Sequence, residues 1–274
     1  MSYQIDSNEP SKQFLQARNI AGCALQDQFK REGGKLEPSK DYKWIKSELT
    51  WPSFDHLTFG YGNQIFSVLV ELVDGDRSAL MQKERERCVE ACSSNNLIPC
   101  AFRVQAQSLE PISKGWNLIH LVTGKNIVPA ECANAKKIQM SDWELRNFGL
   151  QLVRNYITEQ LSGNVLSFCD VIGIDPQLWF DDKSGRRSWV IVRHYGLLTG
   201  QEKDDWINFE QSNRQLQGYD GFLGAVSLAS AEPIVRDMEG EIIPPSERFS
   251  GSAPLYRGDK FYVKFDGLQR IYVG

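Results

Sequence analysis

Residues 55–74 read DHLTFGYGNQIFSVLVELVD. A short strand over 56–59, a Gly60-Tyr61-Gly62-Asn63 turn and an apolar run over 65–70 ending at Glu71 predict a hairpin that enters a buried strand. Asp74-Gly75-Asp76 breaks the run. Residues 78–95 then read as a helix with Leu80, Cys88, Val89 and Cys92 inward and the charged stretch 83–87 outward, and 97–104 follow as another strand. Upstream, Phe14, Ala17, Ala21, Ala24, Leu25 and Phe29 recur at helical spacing over 11–32, with Gly33-Gly34 as a stop. Residues 35–52 lack periodicity and read as a connector. Downstream, 116–122 and the Thr123-Gly124-Lys125-Asn126 turn predict a short hairpin, and 129–137 a loop.

A second stretch, residues 175–194, reads DPQLWFDDKSGRRSWVIVRH and has the same grammar: an Asp, a short strand, a polar Gly-containing turn, then an apolar strand closing on a charge, here Arg193. Ser141-Asp142-Trp143-Glu144 ahead of it is a capping box, in which hydroxyl and carboxylate satisfy free amides at a helix start. That helix carries Leu145, Phe148, Leu152, Val153, Tyr156 and Ile157 and closes at Ser162-Gly163-Asn164; a strand over 165–172 follows. After the second stretch come a helix over 204–216, a strand over 221–230, and a final hairpin of 260–265 and 270–273 around Asp266-Gly267. The expected fold is therefore α/β (mixed α+β): two similar strand-hairpin-helix-strand halves with mixed sheets flanked by helices, read as an internal duplication. The expected division is 1–45 (helix and connector), 46–140 (first half) and 141–274 (second half with the C-terminal hairpin).

Composition narrows the function classes. Hydrophobic residues at 41% and charged residues at 24% are those of a chain that folds. A net charge of -4 gives no global attraction to phosphate, so nucleic acid is not indicated as a partner unless a local basic patch forms, as at Lys136-Lys137 or Arg186-Arg187. No apolar run approaches the roughly 20 residues that span a bilayer, and the first eight residues are polar, so no membrane partner is expected. Six scattered cysteines without a CxxC pair suit a reducing compartment, the cytoplasm.

Several signatures are missing: a phosphate loop, the third glycine of a dinucleotide fingerprint beyond Gly60 and Gly62, and a nucleophile elbow. The three histidines, His56, His120 and His194, have no partner at a telling spacing. What remains is an order: helix, Asp55 at the start of a hairpin, Glu71 at the end of its buried strand, helix, strand. Over residues 50–104 this resembles the PD-(D/E)xK core of restriction-endonuclease-like proteins. The resemblance implies a divalent ion, Mg²⁺, held by Asp55 and Glu71, with a lysine helping to activate water on a phosphodiester. The lysine place is occupied by Val73, which leaves Lys83 as a displaced cation, and in the second half the place of the second acid falls at Val192 or Arg193. The competing reading has Asp55 and Asp175 capping turns and Glu71 as the polar end of a core strand.

Trp44, Trp51, Trp116 and Trp179 are candidate binding residues, because tryptophan is enriched at interface hot spots; core packing is the other account of them. A repeated α/β unit, surplus tryptophan and an incomplete catalytic set point to a non-catalytic intracellular binding or regulatory protein. Such a protein would be a bacterial accessory protein on a degenerate nuclease-like scaffold, with no cofactor and another protein as partner. The alternative is a metal-dependent nuclease or phosphodiesterase using Asp55, Glu71 and Lys83.

Overall fold

The computed structural model describes residues 11–32, 42–46, 57–75, 77–78, 82–169, 174–194, 216, 218–237, 239–244, 248 and 254–272. The chain divides into two compact units, Met1–Lys137 and Ile138–Gly274.

In the first unit, α1 (Lys12–Glu32) precedes β1 (Lys43–Lys46), β2 (Leu57–Tyr61), β3 (Gln64–Asp74), the two-residue β4 (Arg77–Ser78), α2 (Gln82–Ser94), β5 (Ile98–Gln105), β6 (Leu118–His120), β7 (Asn126–Ile127) and a single helical turn, α3 (Pro129–Cys132). The sheet order is β1-β2-β3-β5-β6-β7, with β4 folded back on the end of β3. β1, β2 and β3 are antiparallel, and β3 runs parallel to β5 with Val68 beside Cys100 and Glu71 beside Arg103. A parallel neighbour requires a crossover, which α2 supplies. All of β3 but its last residue is buried, as a strand with a helix on either face must be.

Alternation along β3 sorts its side chains. Phe66, Val68, Val70 and Leu72 meet Ala17, Ala21, Leu25 and Phe29, which recur every fourth residue of α1 and so form one stripe. Leu69 points the other way, to Cys88 and Cys92 of α2. Burying Phe59, Phe66 or Phe102 contributes about 2–3 kcal/mol each.

Three expectations change here. The connector contributes β1, whose four residues are too few to show a period against the flanking charge. The helix expected from residue 78 begins at Gln82, because Arg77 and Ser78 pair back onto Asp74 and Val73. The helix expected as a separate segment over 1–45 covers the first sheet, so it belongs to the first unit.

The second unit repeats the order. α4 (Asp142–Asn155) runs into a π-helical turn (Tyr156–Gln160), followed by β8 (Asn164–Phe168), β9 (Leu178–Asp181), β10 (Arg187–His194), β11 (Asp220–Ser230), β12 (Phe261–Lys264) and β13 (Leu268–Tyr272). β8, β9 and β10 are antiparallel, and β10 runs parallel to β11. Leu150, Val153 and Ile157 cover Val190, Val192 and Val226, while Trp189, Ile191 and Leu223 face the opposite side. The helix expected over 204–216 lies outside the described residues, Leu216 apart.

The capping box forms as read, with the Ser141 hydroxyl accepting from the Glu144 amide and Glu144 Oε2 accepting from the Ser141 amide at 2.9 Å. Glu144 is also buried against Arg257, which donates through Nε and Nη2 at 2.8 and 2.7 Å. The final hairpin does not form. β12 pairs with Ser227–Ser230 and β13 with Gly221–Gly224, both antiparallel, so the two lie end to end along one flank of β11. The Asp266-Gly267 pair that reads as a hairpin turn makes a kink instead, with Gly267 at φ +87° beside the Tyr156 hydroxyl.

Gly221 is fixed by its neighbour: a Cβ there would lie 2.3 Å from the buried Trp189 ring. Gly221→Ala should therefore destabilise the chain by about 2–3 kcal/mol in a urea titration, with no change in slope.

Candidate functional site

Glu71 sits near the end of β3 on the face that meets α2, and its side chain is 5% exposed. Two cations reach it. Arg85, one turn into α2, donates from Nη2 to Oε1 at 2.9 Å, and Arg103, the register neighbour on β5, places Nε 3.2 Å from Oε2 as an ion pair without hydrogen-bond alignment. Both arginine side chains are about one-third exposed, at 31% and 32%. A divalent ion binds carboxylate oxygens at about 2.0–2.6 Å, so at Glu71 it would have to displace two cations already in place.

Lys83, the expected displaced cation, is exposed, and Arg85 two residues on takes the role. Positions two apart on a helix face nearly opposite ways, so only one of them can point at the sheet. Asp55 lies outside the described residues, as do His56 and Trp51. Among the described residues, no group of three or more His, Cys, Asp or Glu side chains could hold a metal ion. Beside Arg85, an open depression of about 470 Å³ runs along α2, with Val89 and Leu121 in its wall and Gln82, Glu86 and Ser93 among its polar residues.

The second unit places a charge at the same structural position. Leu57 pairs with Val68 in the first hairpin and Leu178 with Val190 in the second, so three residues further on Glu71 corresponds to Arg193. Arg193 donates through Nη1 and Nη2 to the two oxygens of Asp175 at 2.8 and 2.6 Å. Gln177, buried next to them, accepts from the Val192 amide at 2.8 Å and donates to the carbonyl of Ile174 at 2.9 Å. Asp175 is thus held by a cation as well as standing at a turn. His194 lies 2.8 Å through Nε2 from Asp142 Oδ1.

The tryptophans divide. Trp116 is buried, and Trp44 is half-buried, in a ring cluster with Phe29, Tyr42 and Phe59, where centroids lie 4.8–6.4 Å apart. Trp44 Nε1 donates to Gln26 at 2.6 Å. Tyr42 in that cluster donates to Glu32 at 3.0 Å, and burial together with this carboxylate pushes its phenol well above the ordinary range. Trp179 is half-buried edge-on to Tyr219. Cys88 and Cys92 lie buried on the inner stripe of α2. Asp182 does what its turn position implies, accepting the amides of Ser184 and Arg186 at 2.8 and 3.0 Å.

Sequence reasoning missed Arg85 and Arg103. Arg103 was accessible in principle, since aligning 66–71 with 98–103 as parallel neighbours sets it beside Glu71, but nothing local fixes that register.

Comparison with known proteins bears on the second unit. Residues 143–271 match a family model described as a domain of unknown function (DUF8840). The match is a little under half of the chain and runs from the first turn of α4 into β13. No curated protein and no solved structure matches the chain. Among the described residues, no helix is long and apolar enough to cross a membrane.

Two measurements test these clusters. Arg85→Ala and Arg103→Ala should each cost about 1 kcal/mol, because the other guanidinium still serves Glu71. The double variant should cost about 4 kcal/mol, more than the sum, as it leaves a buried carboxylate uncompensated. At His194, burial lowers the imidazole pKa against the opposing pull of Asp142, with Arg146 and Arg193 adding to the lowering. The unfolded chain then binds the proton more readily, so this contribution is complete above about pH 6.5 and is lost as pH falls through the lower folded value. The urea midpoint should drop over that window, and His194→Gln should flatten the drop.

Proposed function

We propose that this chain is a non-catalytic, cytoplasmic binding or regulatory protein that recognises another protein, an accessory module on a duplicated and degenerate nuclease-like scaffold. The observation that carries this reading is the pairing of Glu71 with Arg85 and Arg103. The carboxylate that would hold a metal in a nuclease core of this order is already occupied by two cations, at 2.9 and 3.2 Å.

The rest of the constellation agrees. Val73 stands in the lysine place, and the second unit carries Arg193 where a second acid would be, tied to Asp175. A guanidinium at that position repels a divalent ion rather than binding it. The order helix, three antiparallel strands, crossover, parallel strand supports the nuclease-like ancestry, and the same framework with its acids paired to arginines suits a surface for partners. The scattered cysteines, without a CxxC pair, suit a reducing cytoplasm.

Plasmid, single-stranded DNA and RNA incubated with the full chain under Mg²⁺ and Mn²⁺ should stay intact, with Asp55→Ala and Glu71→Ala indistinguishable from the parent. Metal-dependent cleavage that either substitution abolishes would overturn the reading in favour of a phosphodiesterase at this site.

A further inference from the structure

In the second unit the strand order ends on β12, so one side of that strand has no neighbour among the described residues. Which backbone groups point outward follows from one hydrogen bond. The amide of Ala231 donates to the carbonyl of Lys260 at 2.9 Å, which marks 231 and 260 as a hydrogen-bonded pair. Pairs alternate in an antiparallel ladder, so Tyr262 and Lys264 also bond inward to β11, and the N–H and C=O of Phe261 and Val263 face outward.

The side chains on this edge set exposed Tyr262 and Val263 between two lysines. Tyr262 is 58% and Val263 40% exposed, and as strand neighbours they lie on opposite faces. Phe261 packs edge-on against Phe148 of α4, which puts Val263 on the helix side and leaves Lys260, Tyr262 and Lys264 together on the other. That face of the edge thus reads cation, aromatic, cation, with Lys260 exposed and Lys264 61% exposed, in a chain of net charge -4.

We propose that β12 is a docking edge for an extended segment of a partner protein, of the pattern acidic-apolar-aromatic-apolar-acidic, added to the sheet as a further strand. The two outward residues offer two amides and two carbonyls to the incoming backbone, and its acidic residues fall opposite Lys260 and Lys264. A second copy of this chain fits less well. The self-pairing register that uses both outward residues joins Phe261 to Val263 of the other copy, and it sets Lys260 opposite Lys264 twice. Like charges directly opposite are destabilising. The kink at residues 265–267 ends the usable edge, which confines the site to about five residues.

This inference rests on the reading of the chain as a protein-binding module and deepens it. The test titrates a fluorescein-labelled, C-terminally amidated peptide, Gly-Glu-Val-Tyr-Val-Glu-Gly, with the full chain and follows anisotropy. Saturable binding is expected, at least tenfold weaker for a peptide with lysine in place of both glutamates. Val263→Pro removes only an outward N–H, so the sheet should stay intact by circular dichroism while peptide binding falls at least tenfold. Should that variant fail to fold, Lys260→Glu/Lys264→Glu carries the test by reversing the preference to the lysine peptide. No binding, equal binding by Val263→Pro, or a parent dimer that Val263→Pro makes monomeric would each overturn the proposal. Assaying the same samples for Mg²⁺-dependent plasmid cleavage separates the failures. Cleavage defeats the binding-module reading itself, whereas loss of peptide binding without cleavage defeats the edge alone.

Discussion

A strand covered on both faces has nowhere along its length to put a charge. β3 is buried from Gln64 to Val73, and its parallel neighbour β5 obliges the chain to cross over one face, so α1 and α2 close the two sides. Polar chemistry is thereby driven to the strand end, where Glu71 meets cations from the crossover helix and the next strand. β10 obeys the same constraint beside β11, with five consecutive buried residues from Ser188 to Val192 and then Arg193. The location of the charged clusters is a consequence of the topology, whatever they do.

What the clusters contain is where the two units part. One presents an acid to two cations and the other a cation to an acid. In each, a buried or half-buried charge is compensated within the unit. Among the described residues, the surface carries the depression along α2 and, on β12, the exposed side chains of Tyr262 and Val263.

Much of the architecture was legible because it is local or periodic. The fourfold spacing of Ala17, Ala21, Leu25 and Phe29, the capping box at Ser141 and Glu144, and the apolar runs of β3 and β10 each carry their structure in a few consecutive residues. Failures came where two remote segments compete for one partner. Asp266-Gly267 is a hairpin turn by its chemistry, yet β12 and β13 both pair with β11, whose eleven residues offer a longer ladder than the two short strands offer each other. The four residues of β1 became a strand only because β2 had an open flank.

The sequence by itself determined the class of fold, the repetition of its unit, and the placing of a charge at the end of each buried strand, because hydrophobic period and turn chemistry are written in neighbouring residues. Only the tertiary structure decided what that charge meets. Arg85 rather than Lys83 reaches Glu71, and Arg103 arrives through a register set 32 positions away, since the partner of a buried group is fixed by which strands lie side by side.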